Sequence, residues 1–321
     1  MNPWLKSTRP KTLPLSISAI LIGASISNFY KPLDWFLFVL LIVIATSLQV
    51  LSNFANDYGD FQKGTDQIAE RNDRMLTTGA ISLKQMKRAL WALSAFVLFF
   101  GSYTLWYGFK QNTESNPVYF GALFVFGLFA IAAAILYTVG KKAYGYYGLG
   151  DFFVFLFFGM VPVIGTSIVC GIKPTLNTLL GAIGVGLLSV SLLNINNYRD
   201  LMSDLESNKK TIAVKLGEKR TLTYQRFLLV FGFFGVFSSM GYYLFQLLSL
   251  SSSTYYIEMF LLFGVFSPSA VFLSRYHSEM KTLLPGNREK LNKLLKNHSL
   301  TILLLCVVHF ALSLYIGSFF Q

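Results

Sequence analysis

Charge is scarce in this chain. Of 321 residues, 13% are charged and 54% hydrophobic, and the mean hydropathy is +0.53. A soluble domain of this length covers its surface with roughly 25% charged residues, so a soluble fold is excluded. Cysteine is scarcer still. Cys170 and Cys306 are the only two, far apart and each in or beside an apolar run, which excludes a disulfide framework and a thiolate metal centre. His277, His298 and His309 are the only histidines, and their spacing matches no ligand motif. The first apolar run follows Lys6, Arg9 and Lys11 but is not followed by a small-residue cleavage site, so it reads as a span rather than a leader. Gly145, Gly148 and Gly150 lack the strand-to-helix context of a dinucleotide fold.

What is abundant is the apolar run of about 20 residues, long enough to cross a ~30 Å hydrocarbon layer. Nine candidate helices follow: 13–30, 35–56, 86–109, 117–139, 150–170, 176–196, 223–247, 255–274 and 299–319. The expected fold is an all-α, polytopic membrane bundle of nine helices forming a single domain over residues 1–321. Gly181, Gly184 and Gly186 in the sixth span are expected to permit close helix packing.

Alternate segments, together with Lys87, Arg88 and Arg226 at the adjoining helix starts, hold 24 of the 27 Lys and Arg. Lys31, Lys110 and Lys173 lie in turns on the other side. The basic side is cytoplasmic by the positive-inside rule, with the N-terminus inside and the C-terminus outside. The net charge of +12 belongs to this asymmetry and to anionic lipid or substrate. Split among short loops of a membrane protein, it does not indicate nucleic acid.

Nine of the fifteen acids fall in two of these segments: Asp57, Asp60, Asp66, Glu70 and Asp73 in one, and Asp200, Asp204, Glu206 and Glu218 in the other. Such clusters repel unless something positive neutralises them. The two regions share a pattern. Asn56-Asp57-Tyr58-Gly59-Asp60 and Asn196-Asn197-Tyr198-Arg199-Asp200 each follow an even-numbered span, 140 residues apart. This suggests two related four-helix units plus a ninth helix, with the polar motifs facing a shared cavity at the repeat interface.

If the second span continues, Asn53, Asn56, Asp57 and Asp60 line one helix face, as do Asn196, Asp200 and Asp204 after the sixth. Carboxylate and amide oxygens are the donors that Mg2+ prefers, and it takes one or two carboxylates while keeping other positions for water and phosphate oxygens. Two facing stripes suit two metal ions with a diphosphate between them. The alternative, that these residues merely cap helices in water, does not explain two matched arrays that each begin inside an apolar span. Lys63, Arg71, Arg74, Lys209, Lys210, Lys141, Lys142, Arg9 and Lys11 accompany the acids and suit an anionic leaving group.

Four stretches carry a resemblance: Arg9-Pro10-Lys11-Thr12-Leu13-Pro14; residues 52–66, with motif 1 extending over 53–79; the middle loop from Tyr137-Thr-Val-Gly-Lys141 to Tyr144-Gly-Tyr-Tyr-Gly-Leu-Gly-Asp151; and motif 2 over 193–211. The chain resembles the UbiA-type intramembrane prenyltransferase superfamily, and within it the 1,4-dihydroxy-2-naphthoate prenyltransferases of menaquinone synthesis. The usual final acid of the first motif is Gly64 here, with Asp66 two residues on, and Arg74-Met-Leu-Thr-Thr-Gly79 lacks the family's proline. The resemblance implies a bacterial inner-membrane enzyme that moves a polyprenyl chain from its diphosphate to the naphthoate, using Mg2+ in a cytoplasmic-side cavity. It implies Asn56, Asp60, Asp200 and Asp204 as metal ligands, with Asn196 alongside and Asp57 and Asp66 supporting them. Arg9, Arg74, Lys141 and Lys209 would contact diphosphate, and Tyr137, in a Tyr-x-x-x-Lys pattern with Lys141, would lie near the reacting carbon. Asp151, with Asn53, would help hold the acceptor, or Asp151 would cap the fifth span.

Two rivals stand beside this reading. One is a prenyltransferase acting on 4-hydroxybenzoate, homogentisate or haem, against which residues 144–151 and the Lys63-Gly64-x-Asp66 spacing count. The other is a transporter or channel, in which polar residues should mark a path along several spans; here they gather on one side. The basic segment 275–298, broken at Pro285-Gly286, either rests on the membrane surface or covers the site.

Overall fold

The computed structural model describes residues 2–68, 74–112, 116–248, 271 and 274–317. Among them there is helix and no strand, and eight helices are long and apolar enough to span a membrane. They begin after a short helix α1 (Pro3–Ser7). Then come α2 (Leu13–Tyr30), α3 (Trp35–Gln62), a short α4 (Thr65–Ile68), α5 (Leu83–Gln111) and α6 (Pro117–Leu136). A 3-10 turn (Tyr144–Tyr147) precedes α7 (Gly150–Phe155) and α8 (Val161–Val169), which form one span. After them come α9 (Leu176–Arg199), a short α10 (Leu201–Glu206), α11 (Ile212–Leu248) and α12 (Arg288–Gly317). The expected span 255–274 lies almost wholly outside the described residues.

Helix ends differ from the sequence reading where local chemistry extends or breaks a helix. The second span runs on to Gln62 with Asn53, Asn56, Asp57 and Asp60 all inside it. The sixth ends at Arg199, so Asp200 sits at a junction (φ −96°, ψ 9°) before α10 rather than inside one continuous helix. Asp204 N–H still bonds to Asp200 C=O at 2.8 Å, which keeps the two carboxylates roughly one turn apart. The last helix starts at Arg288, eleven residues before the expected 299. Its first turns are amphipathic: Leu291, Leu294 and Leu295 are buried while Lys290, Lys293 and Lys296 face outward, so charge there does not end the helix. Within α11 the chain kinks at Gly217, which takes a positive φ (72°).

The long α9 is the central element. A side chain at Gly181 would strike Ile22 of α2, one at Gly184 the backbone of Gly235 and Val236 on α11, and one at Gly186 the Phe155 ring. Between α7 and α8, residues Leu156–Met160 form a π turn whose Gly159 lies against Gly186. Pro162 follows. Lacking an N–H, it interrupts the helical hydrogen-bond ladder; Ser189 Oγ, which donates to the Val185 carbonyl at 2.8 Å, lies 3.4 Å from the Phe158 carbonyl. At one end of the bundle α12 packs along α2 through fully buried polar contacts. Ser25 Oγ lies 2.6 Å from His309 Nδ1 and 3.2 Å from Tyr243 Oη, and Asn28 donates to the Ser313 carbonyl. Polar pairs of this kind contribute about 0.6 kcal/mol each between membrane helices.

The glycine contacts make a direct prediction. Gly184→Val should cost at least about 1–3 kcal/mol, since its side chain meets helix backbone rather than a movable side chain. Gly121→Val, where nothing lies within 4 Å, should leave the melting temperature in detergent unchanged. Equal melting temperatures for both variants would show that the α9–α11 contact is not tight.

Candidate active site

The segments 7–12, 60–66, 137–151, 199–211 and 283–292 meet at the other end of the bundle, where two groups of polar side chains are joined by the Asp204 N–H to Asp200 C=O bond. All five overlap the alternate, basic segments of the sequence reading, and the last is tied to the second motif through Gly286 N–H to Arg199 C=O at 3.1 Å.

The first array divides its work. Asp57 is 2% exposed and accepts from both Arg9 and Arg74, the latter at 2.5 Å. Arg74 Nε also lies 3.7 Å from Asp66. Asn56, with its amide turned to suit its neighbours, donates to Asp60 Oδ2 at 2.7 Å and accepts from Arg9 at 2.9 Å. Asn53 holds the N-terminal segment in place by donating to the Thr8 carbonyl at 2.8 Å. Four residues on one helix face thus meet different sets of partners: Asn53 and Asp57 hold the N-terminal segment and Arg74, while Asn56 links Arg9 to Asp60.

In the second array Arg199 is a hub, and the sequence reading gave it no role. It donates from Nε and Nη2 to the two Asp200 oxygens (3.0 and 2.5 Å), from Nη2 to Asn196 Oδ1 (2.6 Å) and from Nη1 to Asn292 Oδ1 (2.8 Å). Arg288 lies 3.8 Å from Asp200. The segment 275–298 is therefore tied to the second motif, which favours the covering role over a place on the membrane surface. Asn292 is 93 residues from Arg199 and carries no motif, so only the fold reveals it.

Lys209 joins the arrays. Its ammonium lies 3.9 Å from Asp60 and 3.9 Å from Asp204. Burial pulls its pKa down, but the two carboxylates more than offset that and hold it protonated. Burial also pushes the Asp204 carboxyl up to about 7, against the pull of Lys209. Tyr146, another residue the sequence reading left without a role, donates to Asp60 at 2.8 Å and meets Thr65 Oγ1 at 2.7 Å.

Beside this network lies a cavity of about 300 Å³. Arg9, Asn53, Asn56, Tyr137 and Asn196 line it at the polar end, and Phe126, Phe153, Phe157 and Phe158 are among its apolar walls. Tyr137 stands at the boundary. Burial pushes its hydroxyl up to about 12, with Lys209 opposing, so it is neutral at ordinary pH. Lys141 is exposed beyond the end of α6, and among the described residues no carboxylate lies within ion-pair distance of it. Asp151 accepts from Tyr224 at 3.0 Å and is not part of the cavity lining.

Residues 16–284 match the UbiA prenyltransferase family. The chain belongs to that family. It is 40% identical to a 1,4-dihydroxy-2-naphthoate octaprenyltransferase of Haemophilus influenzae over 232 residues, 71% of this chain and 74% of that one. It is likewise 40% identical to the Escherichia coli enzyme of that name, over 71% of this chain and 72% of that one. The fold is that of a UbiA homologue from Archaeoglobus fulgidus bound to GPP and Mg2+, with a TM-score of 0.65 at 13% identity over 98% of this chain and 99% of the other. The same homologue bound to DMAPP and Mg2+ gives a TM-score of 0.64 over 97% of this chain and 99% of the other. The chain is thus a membrane-embedded UbiA-family prenyltransferase.

The site fits a divalent metal by the chemistry of its donors. Among the described residues no three His, Cys, Asp or Glu side chains converge as one metal cluster. Mg2+ does not require three, since it binds through one or two carboxylates plus substrate phosphate and water. Asp60 and Asp204, from different arrays, converge on a single ammonium, and their oxygens are hard donors.

Asn292→Ala would leave a buried guanidinium donor without its acceptor, at a cost of about 1–3 kcal/mol. We expect an order-of-magnitude loss of transferase turnover with Asn292→Ala and recovery with Asn292→Asp, which keeps an oxygen in place. Full activity in Asn292→Ala would show that Arg199 holds Asp200 without help from α12.

Proposed function

We propose that this protein transfers a polyprenyl group from prenyl diphosphate to 1,4-dihydroxy-2-naphthoate with loss of CO2, giving demethylmenaquinol in menaquinone synthesis, and that it requires Mg2+. The observation that carries the reading is the convergence of both aspartate arrays on Lys209, beside an apolar cavity whose polar end is lined by Arg9, Asn56 and Asn196. The naphthoate acceptor is supported by the 40% identity to enzymes bearing that name and by the residue pattern over 144–151.

Asn56 and Asp60 on one side and Asp200 and Asp204 on the other would hold Mg2+, with Asn196 beside the second pair. The metal, when bound, supplies Lewis-acid neutralisation of the diphosphate oxygens. Arg9, Arg74 and Lys209 add fixed positive charge around the leaving group, oriented in advance by the carboxylates they pair with. The allylic C–O bond breaks with its electron pair leaving on the diphosphate. The apolar and aromatic walls keep water from the carbocation, and the Tyr137 ring, at the mouth of the cavity, offers a π face to it. The naphthoate carbon bearing the carboxylate attacks. The C–CO2 bond then breaks, and its electron pair restores the aromatic ring. Lys141 belongs to the diphosphate set and Asp151 to the acceptor side in this proposal.

The gathering of the basic segments at the site end supports a cytoplasmic site in a bacterial cell membrane, an inside N-terminus and an outside C-terminus.

The test uses purified full-length protein in detergent with prenyl diphosphate, the naphthoate and Mg2+, with and without EDTA, and product mass as readout. Metal-dependent prenylated, decarboxylated quinol is expected. Asp60→Ala or Asp200→Ala should lower turnover by at least a hundredfold in folded protein, a loss of about 3 kcal/mol in barrier reduction. Product only with 4-hydroxybenzoate or homogentisate would replace the acceptor; near-normal turnover in both variants would sink the two-array site.

A further inference from the structure

Tyr146 bridges the first array and the segment that follows the second. Its backbone is held by that segment: the Tyr146 carbonyl accepts from Lys210 N–H at 3.0 Å, and the next carbonyl, that of Tyr147, accepts from Lys215 Nζ at 2.8 Å. Its side chain belongs to the first. The phenol donates to Asp60 Oδ1 at 2.8 Å. Its one proton is thereby committed, so the 2.7 Å contact with Thr65 must have the threonine hydroxyl as donor. A Thr65–Tyr146–Asp60 chain results, with a fixed direction.

The ring does something separate. Lys63 Nζ lies 3.8 Å from its centroid and Lys209 Nζ 5.2 Å. Two ammonium groups repel, and the proximity of Lys209 helps lower the Lys63 pKa, behind burial and against Asp60. A ring face attracts a cation within about 6 Å of its centroid, so one tyrosine gives both lysines a common seat beside Asp60. The loop that carries it is held in place. Gly145 N–H bonds to Tyr137 C=O at 2.9 Å, and a Cβ at Gly145 would lie 2.7 Å from that oxygen. Gly148 takes φ 79° with the Lys210 carbonyl close by.

We propose that Tyr146 is a positioning residue of the transferase: its hydroxyl fixes the Asp60 carboxylate and its ring holds Lys63 and Lys209 as a cationic pair for the diphosphate. The role rests on the reaction proposed above and adds two residues to it, Tyr146 and Lys63. It assigns separate tasks to two parts of one side chain, and two substitutions separate them. Tyr146→Phe removes the hydroxyl and keeps the ring. Tyr146→Leu removes both.

The experiment compares wild type and both variants as full-length protein in detergent. One readout is binding of inorganic pyrophosphate in Mg2+, by calorimetry; the other is the Mg2+ concentration giving half-maximal turnover. Tyr146→Phe should bind pyrophosphate within twofold of wild type while needing about tenfold more Mg2+, the scale of one hydrogen bond to a charged group. Tyr146→Leu should show the same Mg2+ shift and also bind pyrophosphate about tenfold more weakly, the scale of a desolvated cation–π contact. Lys63→Gln should weaken pyrophosphate binding without moving the Mg2+ requirement, and it leaves the loop untouched should Tyr146→Leu fold poorly. Wild-type values in Tyr146→Leu overturn the proposal. Equal loss of pyrophosphate binding in Tyr146→Phe and Tyr146→Leu overturns the role of the ring, and wild-type pyrophosphate affinity in Lys63→Gln removes the cationic pair. A wild-type chain that binds no pyrophosphate with Mg2+ overturns the catalytic reading together with this one; binding by wild type with unaltered variants overturns this one alone.

Discussion

Five carboxylates, those of Asp57, Asp60, Asp66, Asp200 and Asp204, gather at one end of an apolar bundle, and each is at most 8% exposed. Left to themselves they would repel one another and take up protons. Arg9, Arg74, Arg199, Lys209 and Arg288 lie within 4 Å of them and come from four separate stretches of chain. That pairing explains much of the architecture. The N-terminal segment folds back onto α3 because Arg9 belongs to Asp57. The segment after α10 turns inward because Lys209 belongs to Asp60 and Asp204. The last helix begins early because Arg288 and Asn292 belong to the Asp200–Arg199 pair. Removing one partner of such a pair typically costs about 3–5 kcal/mol.

The same pairing prepares the site for an anion. Guanidinium and ammonium groups held by neighbouring acids have already lost much of their rotamer freedom, so a diphosphate meets donors fixed in place. The apolar cavity lies directly against them, with Arg9, Asn56 and Asn196 on both the network and the lining. Charge separation and shelter from water are therefore adjacent.

Much of this was legible in the sequence. The eight described spans coincide with apolar runs because a ~30 Å layer demands them. The arrays were legible because acids inside apolar helices are expensive and so conspicuous. Partners were less so. Asn292 and Arg288 lie in a segment that the sequence left open between the membrane surface and a cover over the site, and Tyr146 lies in a segment marked by its pattern but not by any contact. Spacing placed Asn56 and Asp57 on one helix face, yet Asp57 meets two arginines while Asn56 shares one of them and donates to Asp60, a difference that periodicity does not set. The helix break at Asp200 was equally hidden: the i, i+4, i+8 spacing of the second array is that of a continuous helix, and the chain achieves nearly the same placement with a junction in the middle.

The two motifs match position for position, and their one strong mismatch accounts for their different surroundings. Gly59 in the first corresponds to Arg199 in the second. A Cβ at Gly59 would lie 2.6 Å from the Thr138 backbone, where α3 presses against the end of α6 and Thr138 Oγ1 donates to the Ala55 carbonyl. An arginine cannot stand there, so the first array takes its cations from outside, through Arg9 and Arg74, and the neighbouring Asp57 receives them. In the second array the same position is open toward α12. Arg199 supplies the cation from within the motif, and the position matching Asp57 is a neutral asparagine, Asn197. An additional carboxylate there would ask for another cation that the motif does not need. The close approach of α3 and α6 thus decides which array imports its charge. It also explains why the N-terminal segment is bound to the first array and the C-terminal helix to the second.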